Sequence, residues 1–283
     1  MIAHFLLLAS LAGDLDILSR PAKGHVGVSA QVVGTKKPIG FHDADHFPMQ
    51  SVYKFPIAMA VLNAVDRGAL GLGQQARVAK WELVPAALHS PMRDEHPSGD
   101  FDTTVRDLLR YAVSESDGSA SDVLLRILGG PAKAQAYLDS IGIQEVVIAN
   151  TEMEMSRDDT LQYRNWASPR GMVHLLKAFL DGKGLSRTSQ ALLLQLMTQT
   201  PTGPQRLKGL LPAGALVAHK TGTSGTKNGI TAATNDVGII SEPGRPTLIV
   251  AVFVSDSPAA TEVREGVIAK IASQLWRQQT QRR

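Results

Sequence analysis

The feature that most constrains this chain is where its two hydrophobic periods fall: strand-like patterns occupy both ends and helix-like patterns the middle. Val26 to Val33 alternates with period two, and Gly34 to Gly40 reads as a turn before another short strand. Across Ser51 to Leu70, Val105 to Leu128, Pro169 to Leu180 and Ser189 to Met197, apolar residues recur at helical spacing. Strand signals return over Ala215 to Thr221, Ala233 to Ile240 and Thr247 to Val254, the last two joined by the Pro/Gly turn Ser241 to Pro246. Val263, Val267, Ile271 and Leu275 then step by four along a closing helix, which predicts one apolar face laid over a sheet. Strands at both ends of a helical middle imply a single sheet assembled from both termini. The expected class is α+β: a five-stranded antiparallel sheet flanked by helices, with an inserted all-helical domain. The expected division is 13–48 with 204–283 for the sheet domain and 49–203 for the insert, with a functional site where the two meet.

At 283 residues and 43% hydrophobic content the chain can bury a sizeable core. Its 29 basic and 26 acidic residues leave a formal net charge of +3 and are scattered, with Arg282 and Arg283 as a terminal pair, so no nucleic-acid partner is expected. With no cysteine, a disulfide scaffold, a thiol nucleophile and a zinc ribbon are excluded. Residues 1–12 carry an apolar stretch too short to span a bilayer. Two readings stand: a signal-peptide core or its remnant, with small residues Ser10 and Ala12 but no charged start, or a first amphipathic helix over Leu6 to Leu18. No later stretch is long enough to cross a membrane.

Three short motifs carry chemistry. In Ser51-Val52-Tyr53-Lys54, the i, i+3 spacing puts a hydroxyl and an amine on one face of a first helical turn. A serine alcohol needs a nearby base to become a nucleophile, and a desolvated lysine can help supply one; taken alone, the tetrapeptide reads rather as a helix cap with a surface lysine. Ser116-Asp117-Gly118 precedes the apolar run Val123-Leu124-Leu125 and, alone, reads as an N-cap. Lys220-Thr221-Gly222-Thr223-Ser224 ends a strand with a cation, hydroxyls and a glycine that permits close approach to the backbone.

In this order the three motifs resemble those of class A β-lactamases and penicillin-binding proteins. The resemblance runs from about Val26 to Trp276 and is sharpest over Phe47 to Leu62, Ala112 to Leu125, Asn150 to Pro169 and Gly203 to Asp236. Asn150 to Pro169 looks like the Ω-loop of class A enzymes, with Glu152, rather than Glu154, at the position of that family's water-activating base. Gln162 to Trp166 and Pro201 to Pro212 look more narrowly like the extended-spectrum PER/VEB branch. Most class A enzymes pair an Asn on the helix after Ser-Asp-x with an Asp at the end of the loop; Asp122 and Asn165 stand there exchanged, and one carboxylate-to-carboxamide tether across the loop neck is expected to survive.

The resemblance implies hydrolysis of β-lactams, penicillins and cephalosporins with extended-spectrum character, through an acyl-enzyme on Ser51. Lys54, or Glu152 through a water, would take the serine proton, Ser116 would relay it to the leaving nitrogen, and Glu152 would activate the deacylating water. Backbone N–H groups of Ser51 and Thr223 would form the oxyanion hole; Lys220, Thr221, Gly222 and Ser224 would bind substrate. Three departures stand out. Gly118 replaces an Asn that would hold the acylamino group, Ser156 replaces an Asn that would help hold the water, and Arg206 is the candidate for a missing cationic partner of the substrate carboxylate. A monomer, periplasmic or secreted, without cofactor or metal, is expected. His42-Asp43-Ala44-Asp45-His46 lacks the ligand pattern of known zinc motifs and reads as a solvated turn. Two rivals share the motifs: a cell-wall D,D-peptidase, which would release β-lactams very slowly, and a β-lactam sensor, in which the stable adduct is the signal.

Overall fold

The computed structural model describes residues 13–36 and 38–278. Five strands make the main path of one antiparallel sheet: β1 (His25–Val32), β2 (Ile39–Phe41), β3 (Leu216–Thr223), β4 (Ile230–Ser241) and β5 (Leu248–Ser257), in the order β2-β1-β5-β4-β3. A two-residue strand, Thr226–Lys227, adds to β4 as a sixth. The termini meet in the centre, because N-terminal β1 pairs with C-terminal β5 in the register Val26–Val254, Val28–Val252 and Ala30–Val250.

The run Leu248 to Val254 is apolar at every position because both faces of the sheet are covered. Ile249, Ala251 and Phe253 face the helical layer, joined by Val237 and Ile239. Their alternates Val250, Val252 and Val254 face the closing helix Thr261–Gln278 through Val267, Ile271, Leu275 and Trp276. Val263, predicted to share that face, is instead 39% exposed, since it lies in the helix's first turn.

The helical stretch Val105 to Leu128 is two helices, Val105–Val113 and Gly118–Leu128, interrupted by Ser114 to Asp117. Ser116 adopts φ 62 there, and Asp117 caps the second helix by accepting from the backbone N–H of Ala120 at 2.8 Å. The middle of the chain also carries two small antiparallel sheets, Gln75–Val78 with Phe101–Thr104, and Trp166–Ala167 with both Phe47–Pro48 and Val146–Val147. The latter ties the end of the 150–169 loop to the segment that leads into Ser51. Residues 13–19 are helical; residues 1–12, where a leader was weighed, lie outside the described residues. No helix among the described residues is long and apolar enough to cross a membrane.

Candidate active site

Ser51 lies in a 3-10 turn, Gln50–Tyr53, that runs directly into the helix Lys54–Asp66. The turn is pressed against β3, and this is what Gly222 is for: a Cβ there would come within 2.2 Å of the Met49 carbonyl oxygen. The close approach that the glycine permits is thus made by the protein's own backbone rather than by a ligand. It brings β3 against the Gln50–Tyr53 turn at Met49 and Val52. Asn235, in the middle of β4, holds the same junction by donating to the carbonyls of Pro48 at 2.8 Å and Met49 at 3.2 Å.

Lys54 is the hub. Its ammonium, 2% exposed, donates to Ser51 Oγ at 2.8 Å and the Ser116 carbonyl at 2.9 Å, and pairs with Glu152 Oε1 at 2.7 Å. All three of its hydrogens have acceptors. Lys220, fully buried, donates to Ser116 Oγ at 2.8 Å and to the Thr221 carbonyl at 3.1 Å. Burial, reinforced by the charge on Lys54, holds the Lys220 amine well below its usual range. The two lysines grip Ser116 from its carbonyl and its hydroxyl, and so hold a left-handed backbone that costs a non-glycine residue about 1–3 kcal/mol. Ser51, Lys54, Ser116, Glu152 and Lys220 therefore form one connected group.

Glu152 opens the short helix Glu152–Arg157 and is 6% exposed. Thr151 caps that helix and Glu154 completes a capping box, its carboxylate accepting from the Thr151 N–H at 2.8 Å. The two glutamates are separated by role: Glu154 folds the turn, and Glu152 reaches Lys54. The Asp122 carboxylate accepts from the N–H groups of Glu152 and Met153, both at 2.8 Å. Asn165 closes the loop neck independently, accepting from the N–H groups of Ala149 and Asn150 and donating to the Asn150 carbonyl. No direct Asp122–Asn165 tether forms; each exchanged side chain takes backbone groups of the loop instead.

Burial, together with the nearby Glu152 charge, pushes the Asp122 carboxyl up to about 7, against the two N–H bonds that favour its charged form. The folded chain thus keeps a proton that an unfolded chain releases near 3.8, and this residue's contribution to stability falls as pH rises through that window. In Asp122→Asn one carbonyl must serve two N–H groups. The variant is expected to be less stable by about 1–3 kcal/mol at about pH 5, with the gap narrowing toward about pH 8. Urea unfolding at the two pH values measures both; a gap that widens with pH contradicts the assignment.

Arg206 is 4% exposed behind β3. Its guanidinium donates to Thr223 Oγ1 at 2.7 Å and to the carbonyls of Gly222 and Asn235, and pairs with Glu265 at 3.0 Å. It reaches the cleft through the exposed Thr223 hydroxyl rather than by presenting its own charge. Arg206→Ala leaves Glu265 without its cation and takes a buried donor from the carbonyls of Gly222 and Asn235, and is expected to cost about 3–5 kcal/mol in a urea melt; a loss under about 1 kcal/mol would show that the network is not structural.

The remaining predicted residues are placed less directly. The Thr221 hydroxyl is buried against Thr202 Oγ1 at 2.7 Å, and Ser224 Oγ accepts from the Ala233 N–H at 2.9 Å. Ser156 Oγ donates to the Met153 carbonyl of its own helix. A Cβ on Gly118 would lie 3.3 Å from the His89 carbonyl and 3.5 Å from Glu152 Cγ, so the position faces the site. Sequence reasoning missed Asn235 and the fully buried pair His219–Asp236 at 2.8 Å; the available signal was an Asn-Asp step in the middle of a buried strand. It missed Tyr53 as well, a buried phenol pushed upward by burial and by the charges of Glu152 and Asp122.

An open cleft of about 950 Å³ runs from Glu152 and Gln162 to Thr223, Ser224 and Lys227. Gln50 Nε2 donates to Gln162 Oε1 at 2.6 Å, and the Lys227–Asp159 pair at 2.5 Å bridges loop and sheet.

A connected Ser51–Lys54–Glu152 group lies between a helical layer and an antiparallel sheet, with Ser116 and Lys220 closing it. Residues 10–279 match the β-lactamase enzyme family, and the chain belongs to that family. It stands in class A, beside the extended-spectrum branch: it is 46% identical over 255 residues to the extended-spectrum β-lactamase PER-1 of Pseudomonas aeruginosa (90% of this chain, 82% of that protein). Against β-lactamase VEB-1 of the same organism it is 40% identical over 269 residues, covering 94% and 89% of the two chains. The crystal structure of a β-lactamase from Chitinophaga pinensis superposes with a TM-score of 0.92 at 42% identity, covering 95% of this chain and 99% of that one.

Proposed function

We propose that this class A β-lactamase opens the β-lactam ring through an acyl-enzyme on Ser51 and releases it with a water activated by Glu152. The observation that carries the reading is the single Lys54 ammonium bonded at once to Ser51 Oγ and Glu152 Oε1, at 2.8 and 2.7 Å. The serine proton passes to Glu152 through a water, or to Lys54 once its ammonium has handed a proton to Glu152 Oε1 across that contact. As Ser51 Oγ attacks the lactam carbonyl, the backbone N–H groups of Ser51 and Thr223 stabilise the developing oxyanion, each worth a few kcal/mol in acyl-transfer enzymes. Ser116 then hands a proton to the lactam nitrogen as the C–N bond breaks and takes up in its place the one released by Ser51, relayed through Lys54, while Lys220 stays bonded to the Ser116 hydroxyl at 2.8 Å. Thr223 with Arg206 behind it, and Ser224, orient the substrate carboxylate. In the second half, Glu152 takes a proton from water, hydroxide adds to the ester, and the Ser51 alcohol is regenerated.

Likeness to PER-1 and VEB-1 supports an extended-spectrum range over penicillins and cephalosporins. Gly118, which offers no side-chain amide, favours substrates that do not depend on that contact. A monomer acting in the periplasm or outside the cell belongs to the same proposal. Acid quenching of the enzyme with a slow β-lactam, followed by peptide mapping, should find the opened-ring mass on the Ser51 peptide; the adduct on Ser116, or none, would overturn the assignment.

A further inference from the structure

Away from the cleft, the fold brings together residues that the sequence keeps apart. His25 begins β1, while His42 and Asp45 lie in the loop after β2, and one ligand atom from each lies within 4.8 Å of the others. None of the three lines the cleft. The local run 42–46 alone offers no metal-binding spacing; the third donor comes from 17 positions earlier. Its other members turn elsewhere: the His46 ring stacks on Trp166 at 3.5 Å, and the Asp43 carboxylate occupies the space beside Gly40.

We propose that His25, His42 and Asp45 form a surface site for a borderline divalent transition ion, with zinc as the representative. Two imidazoles and one carboxylate make a donor set that suits Zn²⁺, Ni²⁺ or Cu²⁺ far better than Mg²⁺ or Ca²⁺, which prefer oxygen. The site is oriented as ligand histidines commonly are. His42 Nδ1 lies 3.1 Å from the Val26 carbonyl, a contact that only an N–H can satisfy, so its Nε2 keeps a lone pair. His42 holds a left-handed φ of 45, which turns its ring back over His25, the two stacking at 5.1 Å. Phe47, fully buried, backs the His25 ring at 4.8 Å and 6°, so that one donor sits on a rigid support. The Asp45 carboxylate stands 2.9 Å from His25 Nε2, where a shared proton now occupies the place a cation would take. The side chains of His25 and Asp45 are 41% and 50% exposed, so the donors can close to coordination distance and leave outer positions to water. A bound ion would staple the 42–46 loop to β1, two residues before the Phe47–Pro48 segment that leads to Ser51.

The test is calorimetric titration of Zn²⁺ into the metal-free full chain, alongside thermal melts with Zn²⁺ or Mg²⁺. The parent should bind one Zn²⁺ at micromolar affinity and melt higher with Zn²⁺ but not with Mg²⁺. His42→Gln and Asp45→Asn should each weaken binding by at least about tenfold, while His46→Gln should leave it unchanged; melts without metal verify that each variant is folded. Absence of saturable binding below millimolar Zn²⁺, equal affinity in His42→Gln and parent, or loss of binding in His46→Gln would each overturn the proposal.

Discussion

Glu152→Ala is expected to turn the enzyme into a trap: Ser51 acylates, and the ester then persists, visible as a mass increase on the intact protein. Removing a positioned general base should lower the deacylation rate by about 10²–10⁴-fold. The geometry also warns of a second effect, because Glu152 is the counter-ion of a lysine only 2% exposed. Stranding that charge costs stability, about 3–5 kcal/mol when a buried pair is broken. Glu152→Gln separates the two, since it keeps the volume and a hydrogen-bonding oxygen toward Lys54 while removing the base. Both variants should accumulate the adduct, and the Gln form should melt closer to the parent. Release at the parent rate in either variant would remove Glu152 from the mechanism.

Ser51→Ala should abolish turnover more completely, roughly 10⁴–10⁶-fold, and leave no covalent adduct, as expected when the nucleophile of a cooperating group is lost. The protein should stay folded. The hydroxyl's partner is Lys54, which retains Glu152 and the Ser116 carbonyl after the change. Activity within tenfold of the parent would mean that another group, such as Ser116, attacks.

Sequence alone revealed the strands from both ends, because a covered sheet needs apolar residues on both faces and a helix needs only a stripe. It also held the ordered triplet of motifs. What it could not show was what each hydroxyl and glycine touches. Gly222 reads as room for a ligand, yet the Met49 carbonyl fills that room; the Thr221 hydroxyl is bonded to Thr202, and the Ser224 hydroxyl accepts from the Ala233 N–H while Ser224 still lines the cleft. The Asp122/Asn165 exchange suggested one tether, but a carboxylate with two oxygens can take two loop N–H groups by itself, leaving Asn165 free to close the neck. Contacts across more than a hundred positions, such as Asn235 to Pro48, leave only a polar residue in a buried strand as their trace.

Fast, Glu152-dependent release after acylation at Ser51 is tested most directly by counting product per enzyme when the purified parent is mixed with excess chromogenic cephalosporin. Sustained turnover far beyond one equivalent is expected. A single stoichiometric burst followed by no further product would contradict it, and would mark the chain as a slow-releasing peptidase or a sensor.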